Sequence, residues 1–367
     1  MSAILKDPEA FEALCERVFT AEFVGLDTEF VRERTYYAEL ALIQLALPEG
    51  LVLLDPLAID ITPLGDALQG PGVKIVHAGR QDLELILQET GRLPAPLFDT
   101  QLAAALLGFD EQIGYGGLVE KLLDVRLPKD ATRTNWANRP LTEHQLRYAL
   151  DDVRYLRPVH EQMTASLATH SRHTWLEEDV AALSDPSLYR FDPAQLTRRY
   201  RQGSTMPPAA QARFSALLLW REEAARTANL PRGWILPDTV LVDLAHRPLA
   251  HPDDLARRRG IDERAARKWS AAVYTALQTA PAASAFGWPP ATLSADQTQT
   301  YDALVALIDA RAKALGIGAS LLATRRTLKE IAQGAPAESL QRGWRAEVLG
   351  SEGRALLERT RCHAEPA

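Results

Sequence analysis

Two carboxylate residues, Asp27 and Glu29, stand two positions apart at the end of the apolar stretch FVGLDTEF, residues 23–30. Side chains at positions i and i+2 of a strand point to the same face, so both carboxylates project together. Carboxylates held this close repel one another, and one takes up a proton unless a cation lies between them. Oxygen ligands of this kind suit Mg²⁺ or Mn²⁺. The alternative is an exposed strand end with solvated charges, because Asp-x-Glu is a common spacing.

Asp82 is a third acidic candidate, in the segment VKIVHAGRQDLELIL. This segment predicts a strand that ends at His77, then a glycine turn, then a helix with one apolar face. Asp82 could join a metal site or cap the start of the helix, and capping is the more frequent use of Asp at such a position. His77 could be a ligand, an acid-base group or a substrate contact, but a hydrogen-bonded structural role is more frequent for a histidine there.

Tyr148 and Asp152 are four residues apart in the segment PLTEHQLRYALDDVRYL. The Thr-x-x-Gln spacing near its start predicts a capping box, with a helix over the rest of the segment. Residues four apart share a helix face, which aligns Asp152 with Tyr148. The neighbouring Asp151 is four residues after Arg147 and is predicted to pair with it at the surface. Taken alone, the Tyr–Asp pair is better explained as the edge of an ordinary amphipathic helix.

The elements that must position these side chains alternate between short apolar runs and helical periods over residues 1–165, which predicts an α/β fold with a mixed sheet flanked by helices. Strands are predicted at 23–27, 39–47, 51–55 and 73–77. Helices are predicted at 63–69, 82–90, 99–107, 116–124 and 142–165. The tight PEG connection between the second and third strands predicts an antiparallel hairpin. Beyond a looser stretch at 184–208 the chain reads as almost wholly helical, with Asp238 and Asp262 as candidate N-caps.

The bulk composition is that of a multidomain globular protein. A length of 367 residues favours two or three domains, and 46% hydrophobic with 24% charged residues allows each domain a core. No apolar run reaches the roughly 18 residues that a membrane helix needs, and the first residues lack the pattern of an export signal. The two cysteines, near opposite ends, fit a reducing compartment. We therefore expect a cytoplasmic protein without a membrane partner.

Charge is divided unevenly along the chain, whose net charge is −7. Residues 1–157 contain 15 Lys and Arg against 25 Asp and Glu, a balance of −10. Residues 198–268 contain 14 against 8, a balance of +6. An acidic first part could hold cations and a basic middle part could hold a polyanion, although scattered solvated charge would give similar counts.

Together, Asp-x-Glu, Asp82 and Tyr-x-x-x-Asp resemble the DEDDy family of 3′→5′ exonucleases. The stretches FVRERTYYAELALIQLA, KIVHAGRQDLELI, LFDTQLAAALLG and NWANRPLTEHQLRYALDDVRYL look like those of the ribonuclease D family, over nearly all of residues 20–160. One departure is Thr134-Asn135-Trp136, where the family usually has Ser-Asp-Trp. That acid is not a metal ligand in the family, so the departure affects at most a local cap or a substrate contact.

The resemblance continues into the helical half. LLLWREEAARTANLPRGWILPDTVLVDLA is similar to an HRDC domain, and ALGIGASLLATRRTLKEIAQG with LQRGWRAEVLG looks like a second, more diverged copy. The resemblance implies a ribonuclease-H-like exonuclease domain followed by two all-α HRDC-like domains. The expected boundaries are 1–183 for the exonuclease domain, 184–208 for a linker, 209–280 for the first HRDC domain, 281–294 for a second linker and 295–367 for the second HRDC-like domain.

The family resemblance also implies a mechanism with two divalent metal ions, Mg²⁺ or Mn²⁺, and no small-molecule cofactor. By resemblance Asp27 bridges both ions, Glu29 and Asp152 complete the site of the attacking water, Asp82 supports the second ion, and Tyr148 orients the water. The implied substrates are RNA 3′ ends, among them tRNA precursors and small structured RNAs. A 3′→5′ DNA exonuclease and a nucleic-acid-binding adaptor with a retired site are the alternatives.

Further residues are candidates for contact with the RNA. Arg32, Tyr36 and Tyr37 follow the first motif, where a basic and aromatic loop could hold phosphate and stack on bases. Trp136 and Arg139 are similar candidates, and either could instead be structural. The basic segment that contains Arg257, Arg258, Arg259, Arg264, Arg267 and Lys268 could bind RNA phosphates or be a solvated helix face.

Overall fold

The computed structural model of this protein describes residues 4–128, 134–281, 286–288 and 292–361. Their contacts divide the chain into two compact units. The first unit takes in Met1–Val31, Glu39–Arg190 and Ala295–Ala367, and the second takes in Arg32–Ala38 and Phe191–Ser294. The C-terminal segment therefore groups with the sheet, although it follows the second unit along the chain.

The first unit is built on a five-stranded mixed sheet in the order β3-β2-β1-β4-β5. Strand β1 pairs antiparallel with β2 and parallel with β4, β2 pairs antiparallel with β3, and β4 pairs parallel with β5. The strands are β1 Phe23–Val31, β2 Glu39–Leu47, β3 Gly50–Leu54, β4 Val73–Val76 and β5 Leu97–Asp99. The mixed sheet and the hairpin are confirmed. Strand β5 is too short to show in the sequence pattern, which places its last residue in a helix.

The helices follow the predicted helical periods closely, except that 142–165 breaks at Tyr155 into two helices. In chain order they are α1 Pro8–Thr20, α2 Thr62–Ala67, α3 Arg80–Thr90, α4 Thr100–Leu106, α5 Tyr115–Leu123, α6 Glu143–Arg154, α7 Leu156–Thr169, α8 His173–Leu183, α9 Ala194–Arg199, α10 Pro208–Ala228, α11 Arg232–Ile235, α12 Asp238–His246, α13 Glu263–Gln278, α14 Ala295–Leu315, α15 Ala319–Leu322, α16 Arg325–Ala332, α17 Glu338–Gln341 and α18 Gly343–Arg361. Helix α18 is kinked at Gly350. Short 3₁₀ helices cover Pro186–Tyr189, Arg201–Thr205 and Pro252–Arg257. No helix in these described ranges is long and apolar enough to cross a bilayer.

The core of the first unit joins the sheet, α4–α8 and the C-terminal helices α14–α18 into one hydrophobic cluster. Trp175 of α8 stacks on Trp344 of α18 with ring centroids 4.6 Å apart. Beside this stack, Arg345 donates to Asp179 at 2.6 Å. Because apolar burial is the main stabilising contribution to folding, these helices are structurally part of the unit that carries the sheet.

The second unit is helical and has a core of its own around α10, α12 and α13. Asp262 caps α13 by accepting a hydrogen bond from the backbone N–H of Ala265 at 2.8 Å, as predicted. The prediction for Asp238 is wrong. Asp238 is the first residue of α12, and its carboxylate pairs with the buried guanidinium of Arg221 at 2.7 Å.

Candidate active site

Strand β1 presents Asp27 and Glu29 on one face of the sheet, as the spacing predicts. Asp27 lies opposite Gln44 of β2, and Glu29 lies opposite Leu42. The register shifts between Glu29 and Phe30, so the regular pairing is interrupted immediately after the second carboxylate. Both carboxylates are only partly buried, which leaves the strand end accessible to solvent and to ligands.

Asp82 reaches the same strand from helix α3. The residue is the third of the helix and is buried, with 8% of its surface exposed. Its carboxylate accepts a hydrogen bond from the hydroxyl of Thr28, the residue between the two carboxylates of β1. The helix begins after Gly79, with no side-chain cap. The capping alternative for Asp82 is therefore wrong.

Asp99 holds the turn from which α3 starts. It caps α4, accepting from the backbone N–H groups of Gln101 at 2.8 Å and Leu102 at 3.2 Å. Its carboxylate also accepts from the N–H groups of Ala78 at 3.2 Å and Gly79 at 2.9 Å. One buried carboxylate thus fixes both the start of α4 and the turn that positions Asp82.

Helix α6 supplies Tyr148 and Asp152, and it begins with the predicted capping box between Thr142 and Gln145. The Gln145 amide also donates to the Thr134 hydroxyl at 3.1 Å. In the departure from the family pattern, Asn135 accepts from the N–H of Ala137 at 3.0 Å, so it closes a local turn.

The surface partner of Asp151 differs from the prediction. Asp151 pairs with Arg154, three residues later, at 2.8 Å. The predicted partner was Arg147, four residues before, and that prediction is wrong. Both spacings bring side chains together on a helix, so spacing alone could not decide between the two arginines.

All four carboxylates have raised pKa values, and burial is the largest cause for each. Burial raises the pKa of Asp27 well above its usual range, and the charges of Asp82, Asp152 and Glu29 raise it further. Burial, with Asp152 and Asp82, raises the pKa of Glu29 to about 8. Burial and Asp151 raise the pKa of Asp152 to about 7. Burial raises the pKa of Asp82 to about 6, against the lowering effect of the Thr28 hydrogen bond. This electrostatic interaction shows that the structure brings the four predicted acids together.

Two tyrosines border the acidic cluster. Burial and the charge of Asp152 raise the pKa of the Tyr148 hydroxyl far above neutrality. Sequence reasoning missed Tyr115, whose pKa burial raises, with smaller contributions from Asp152 and Asp27. The Tyr115 hydroxyl accepts from the backbone N–H of Tyr155 at 3.0 Å, where α6 gives way to α7. Its place at the start of a helix, after Gly114, carries no motif that could have identified it.

His77 has the structural role that was the more frequent alternative. One ring nitrogen, Nδ1, is 2.9 Å from the Thr100 hydroxyl, and the other, Nε2, is 3.0 Å from the Ile113 carbonyl. Burial lowers the pKa of the imidazole. With both nitrogens engaged, the described contacts of His77 leave neither free for a metal or a phosphate.

Trp136 and Arg139 also have structural positions. Trp136 is 2% exposed and packs near Tyr148 with ring centroids 6.2 Å apart. An indole enclosed in this way cannot stack on a base without leaving the core. Arg139 makes a two-pronged ion pair with Asp55, at 2.6 and 2.7 Å, and donates to the Ala41 carbonyl at 2.7 Å. The expected substrate contacts are not supported for these two residues.

Arg32, Tyr36 and Tyr37 belong to the second unit, which includes Arg32–Ala38. The side-chain oxygen of Asn229 accepts from the N–H groups of Tyr36 and Tyr37, each at 3.1 Å. The Tyr36 hydroxyl donates to Glu222 and accepts from Arg232 at 3.0 Å.

The Arg32 guanidinium donates to the Tyr36 carbonyl at 3.2 Å. Tyr36 is therefore fully engaged within its own unit. Tyr37 keeps 37% of its surface exposed, and its hydroxyl accepts a hydrogen bond from the Arg226 guanidinium.

The acidic cluster fits a divalent metal by its donor chemistry. Within the described ranges, no group of three or more acidic, histidine or cysteine side chains is arranged so that it could hold a metal ion as it stands. Hydrogen bonds from Thr28, Tyr148 and backbone groups lower the pKa values of these acids in part. Cationic side chains are not among the main causes of this lowering. An uncompensated group of carboxylate oxygens is the ligand set that Mg²⁺ and Mn²⁺ prefer.

Comparison with known families divides the chain into two matched parts. A family model for 3′-5′ exonucleases matches residues 2–168, and one for the HRDC domain matches residues 210–276. The first match contains all four carboxylates and Tyr148.

Named relatives match almost the whole chain. A ribonuclease D of Zymomonas mobilis is 37% identical, over 97% of this chain and 94% of the relative. A ribonuclease D of Pseudomonas paraeruginosa is 36% identical, over 94% and 95%.

Two solved structures share the fold. The Escherichia coli RNase D structure, titled an exoribonuclease involved in structured RNA processing, matches with a TM-score of 0.86 and 29% identity, over 98% of this chain and 99% of that one. The catalytic core of RRP6 from Trypanosoma brucei matches with a TM-score of 0.60 and 18% identity, over 76% and 79%, a likeness of fold alone.

Proposed function

This chain belongs to the ribonuclease D family of hydrolytic 3′→5′ exoribonucleases, and we infer that its four clustered carboxylates and Tyr148 are the catalytic groups. The reaction hydrolyses the phosphodiester at an RNA 3′ end and releases a nucleoside 5′-monophosphate. The observation that supports the site assignment is that the charges of Asp82, Asp152 and Glu29 all raise the pKa of Asp27, so the four carboxylates lie close enough to interact. Such perturbed groups mark functional sites, because a structural role would not require uncompensated charge.

Exonucleases of this family depend on divalent metal, and we propose that this site takes two ions, Mg²⁺ or Mn²⁺. Bound together, two such ions activate a water and stabilise charge on the attacking and leaving oxygens. Asp27 would hold both ions, Glu29 and Asp152 would help to hold the ion that supplies the attacking water, and Asp82 would help to hold the other. The Thr28 hydroxyl would fix which oxygen of Asp82 is free to face the ions.

Tyr148 is assigned the orientation of the attacking water. A free tyrosine hydroxyl, with a pKa of about 10, is a poor general base at neutral pH, so we assign Tyr148 the positioning role. A neutral hydroxyl can still hold a water by hydrogen bonding, and a fixed orientation of the attacking group lowers the barrier. Helix α6 keeps Tyr148 in register with Asp152, since both residues lie on one face.

The proposed substrates are tRNA precursors and other small structured RNAs. The basic segment of the second unit supports this only in part, because three of its arginines are already engaged. Arg257 pairs with Asp254, Arg258 with Asp243 and Arg267 with Glu263. Arg259, Arg264 and Lys268 are exposed, and in the described part of the chain none of them forms an ion pair. We assign phosphate contacts to these three.

A digestion series tests the proposal. The protein is incubated with a 3′-extended tRNA, with Mg²⁺, with Mn²⁺ or with a chelator, and the same is done with Asp27→Asn. We expect shortening from the 3′ end that requires metal and is lost in the variant. Shortening that persists in Asp27→Asn would exclude the assigned site.

Matched RNA and DNA strands in the same series address the alternatives. Equal degradation of the DNA strand would mean that the site does not select RNA. Binding of RNA without any shortening by the wild-type protein would favour an adaptor whose site is retired. Shortening of unstructured RNA but not of the extended tRNA would remove the tRNA precursor from the proposal while keeping the exoribonuclease.

A further inference from the structure

One polar side chain interrupts an otherwise apolar stretch of strand β2. Residues 40–47 read LALIQLAL and are all buried, and Gln44 is the single polar residue among them, with 0% exposure. Gln44 lies opposite Asp27 of β1 on one side and opposite Leu53 of β3 on the other. Residues directly opposite each other in antiparallel strands project to the same face. The amide of Gln44 therefore lies on the face of the sheet that carries Asp27 and Glu29.

The Gln44 amide has no hydrogen-bond partner within the described ranges, for either its nitrogen or its oxygen. Buried polar groups in proteins are nearly always paired, and an exception calls for a functional explanation. Lys74 in the same sheet shows the usual outcome, since its buried ammonium donates to the carbonyls of Gly72 and Ala95, each at 2.7 Å. The same-face neighbours of Gln44 on β2 and β3, Leu42 and Leu53, offer it no partner.

We propose that Gln44 is a positioning residue for Asp27. Its amide N–H donates to one carboxylate oxygen when the active site is loaded with metal, and so directs the other oxygen toward the ions. This rests on the proposed function, because it assigns Gln44 a role in the same site. A neutral amide suits the task, since a lysine or arginine at this position would bring a positive charge that competes with the cations.

The proposal predicts that replacing Gln44 raises the stability of the metal-free protein but lowers its catalytic activity. Gln44→Met keeps the length and apolar bulk of the side chain but removes both hydrogen-bonding groups. Without metal, this variant loses only an unsatisfied buried amide, so its Tm is expected to rise by about 2–4 °C. With metal, it lacks the donor to Asp27, so the stabilisation produced by added Mn²⁺ is expected to shrink. Its kcat on RNA is expected to fall about 10- to 100-fold with little change in KM.

A matched control is Leu42, which lies two residues before Gln44 on β2 and projects to the same face of the sheet. Leu42 is fully buried and faces Glu29. Leu42→Met makes a similar change in an apolar side chain, and we expect wild-type kcat and a wild-type response to Mn²⁺. Gln44→Leu is a second test, since it removes the donor and matches the leucines that flank Gln44 on the same face, Leu42 and Leu53. We expect it to lose at least as much kcat as Gln44→Met.

The outcome that overturns the proposal is a Gln44→Met protein whose kcat and Mn²⁺-induced Tm shift both equal those of the wild type. Equal losses in Leu42→Met would also overturn it, because the effect would then come from packing. If Gln44→Met fails to fold, a wild-type kcat in Gln44→Leu overturns the proposal in its place. The Mn²⁺-induced Tm shift needs no RNA, so it tests Gln44 even if the wild-type protein degrades no RNA at all.

Discussion

The hydroxyl of Thr28 donates a hydrogen bond to the carboxylate of Asp82. Thr28 stands between Asp27 and Glu29, so the residue that separates the first two acids also binds the third. This bond lowers the pKa of Asp82 and connects strand β1 to helix α3. The threonine is therefore part of how the site is assembled.

Replacing Thr28 by valine, which has the same shape without the hydroxyl, tests this connection. We expect the pKa of Asp82 to rise above its value of about 6, because the lowering hydrogen bond is gone. The pH profile of the Mn²⁺-induced Tm shift should move to higher pH, because a protonated Asp82 does not bind the ion, and activity at neutral pH should fall about tenfold, as for the loss of one charge-assisted hydrogen bond. Thr28→Ser keeps the donor and should behave as the wild type. An unshifted profile in Thr28→Val would contradict this role.

The raised pKa of Glu29 predicts how stability depends on pH without metal. The folded pKa is about 8, above the usual value near 4.3 in an unfolded chain. Between these two pH values the folded state binds the proton more tightly, so ionisation of Glu29 destabilises the fold as pH rises. In chelator, we expect the Tm of Glu29→Gln relative to the wild type to increase from pH 5 to pH 8. Mn²⁺ should abolish this trend in the wild type. A constant difference across the range would show that Glu29 is not strained.

Tyr148→Phe separates water orientation from metal binding. The ring and its packing remain, while the hydroxyl is lost. If the hydroxyl only orients the attacking water, kcat should fall about 100-fold, as expected when the positioning of a reacting group is lost. The Mn²⁺-induced Tm shift should stay near that of the wild type, because the carboxylates are intact. A loss of that shift together with kcat would make Tyr148 a structural support of the metal site instead.

Asn229 is predicted to hold the backbone of the segment Arg32–Ala38. The residue is in the left-handed conformation, with φ of 47°, so Asn229→Gly preserves the backbone while removing the acceptor for the N–H groups of Tyr36 and Tyr37. We expect these two amides to exchange with deuterium about fivefold faster or more, as for the loss of a hydrogen bond worth about 1 kcal/mol. Asn229→Asp keeps an acceptor oxygen and should retain slow exchange. Unchanged exchange in Asn229→Gly would mean that other contacts hold the segment.

The spacing of residues predicted the acids of the site because each lies in an element with a strict period. Strand alternation places Asp27 with Glu29, and the capping box sets the start of the helix that aligns Tyr148 with Asp152. Asp82 was assigned to the site only together with these, since its helix position alone suggested a cap.

The remaining features depend on contacts between residues far apart in sequence. The partner of Arg139 is Asp55, 84 residues earlier, and Tyr115 meets the backbone of Tyr155, 40 residues later. No local period encodes such pairs. Strand β5 has three residues, too few to show an alternation. Its position is set by parallel pairing with β4 and by the hydrogen bond that Asp99 accepts from Ala78.

The stack of Trp175 on Trp344 has a consequence for when the first unit can fold during its synthesis. Domains usually fold as they leave the ribosome, amino-terminal part first. Here the cluster that covers one side of the catalytic sheet takes residues from both ends of the chain, including Phe23 and Leu357. The sheet emerges early but cannot complete its core until the last helix has been synthesised. The hydrophobic core of the first unit is therefore completed during translation only after the whole second unit, which lies between its segments in the sequence, has been synthesised.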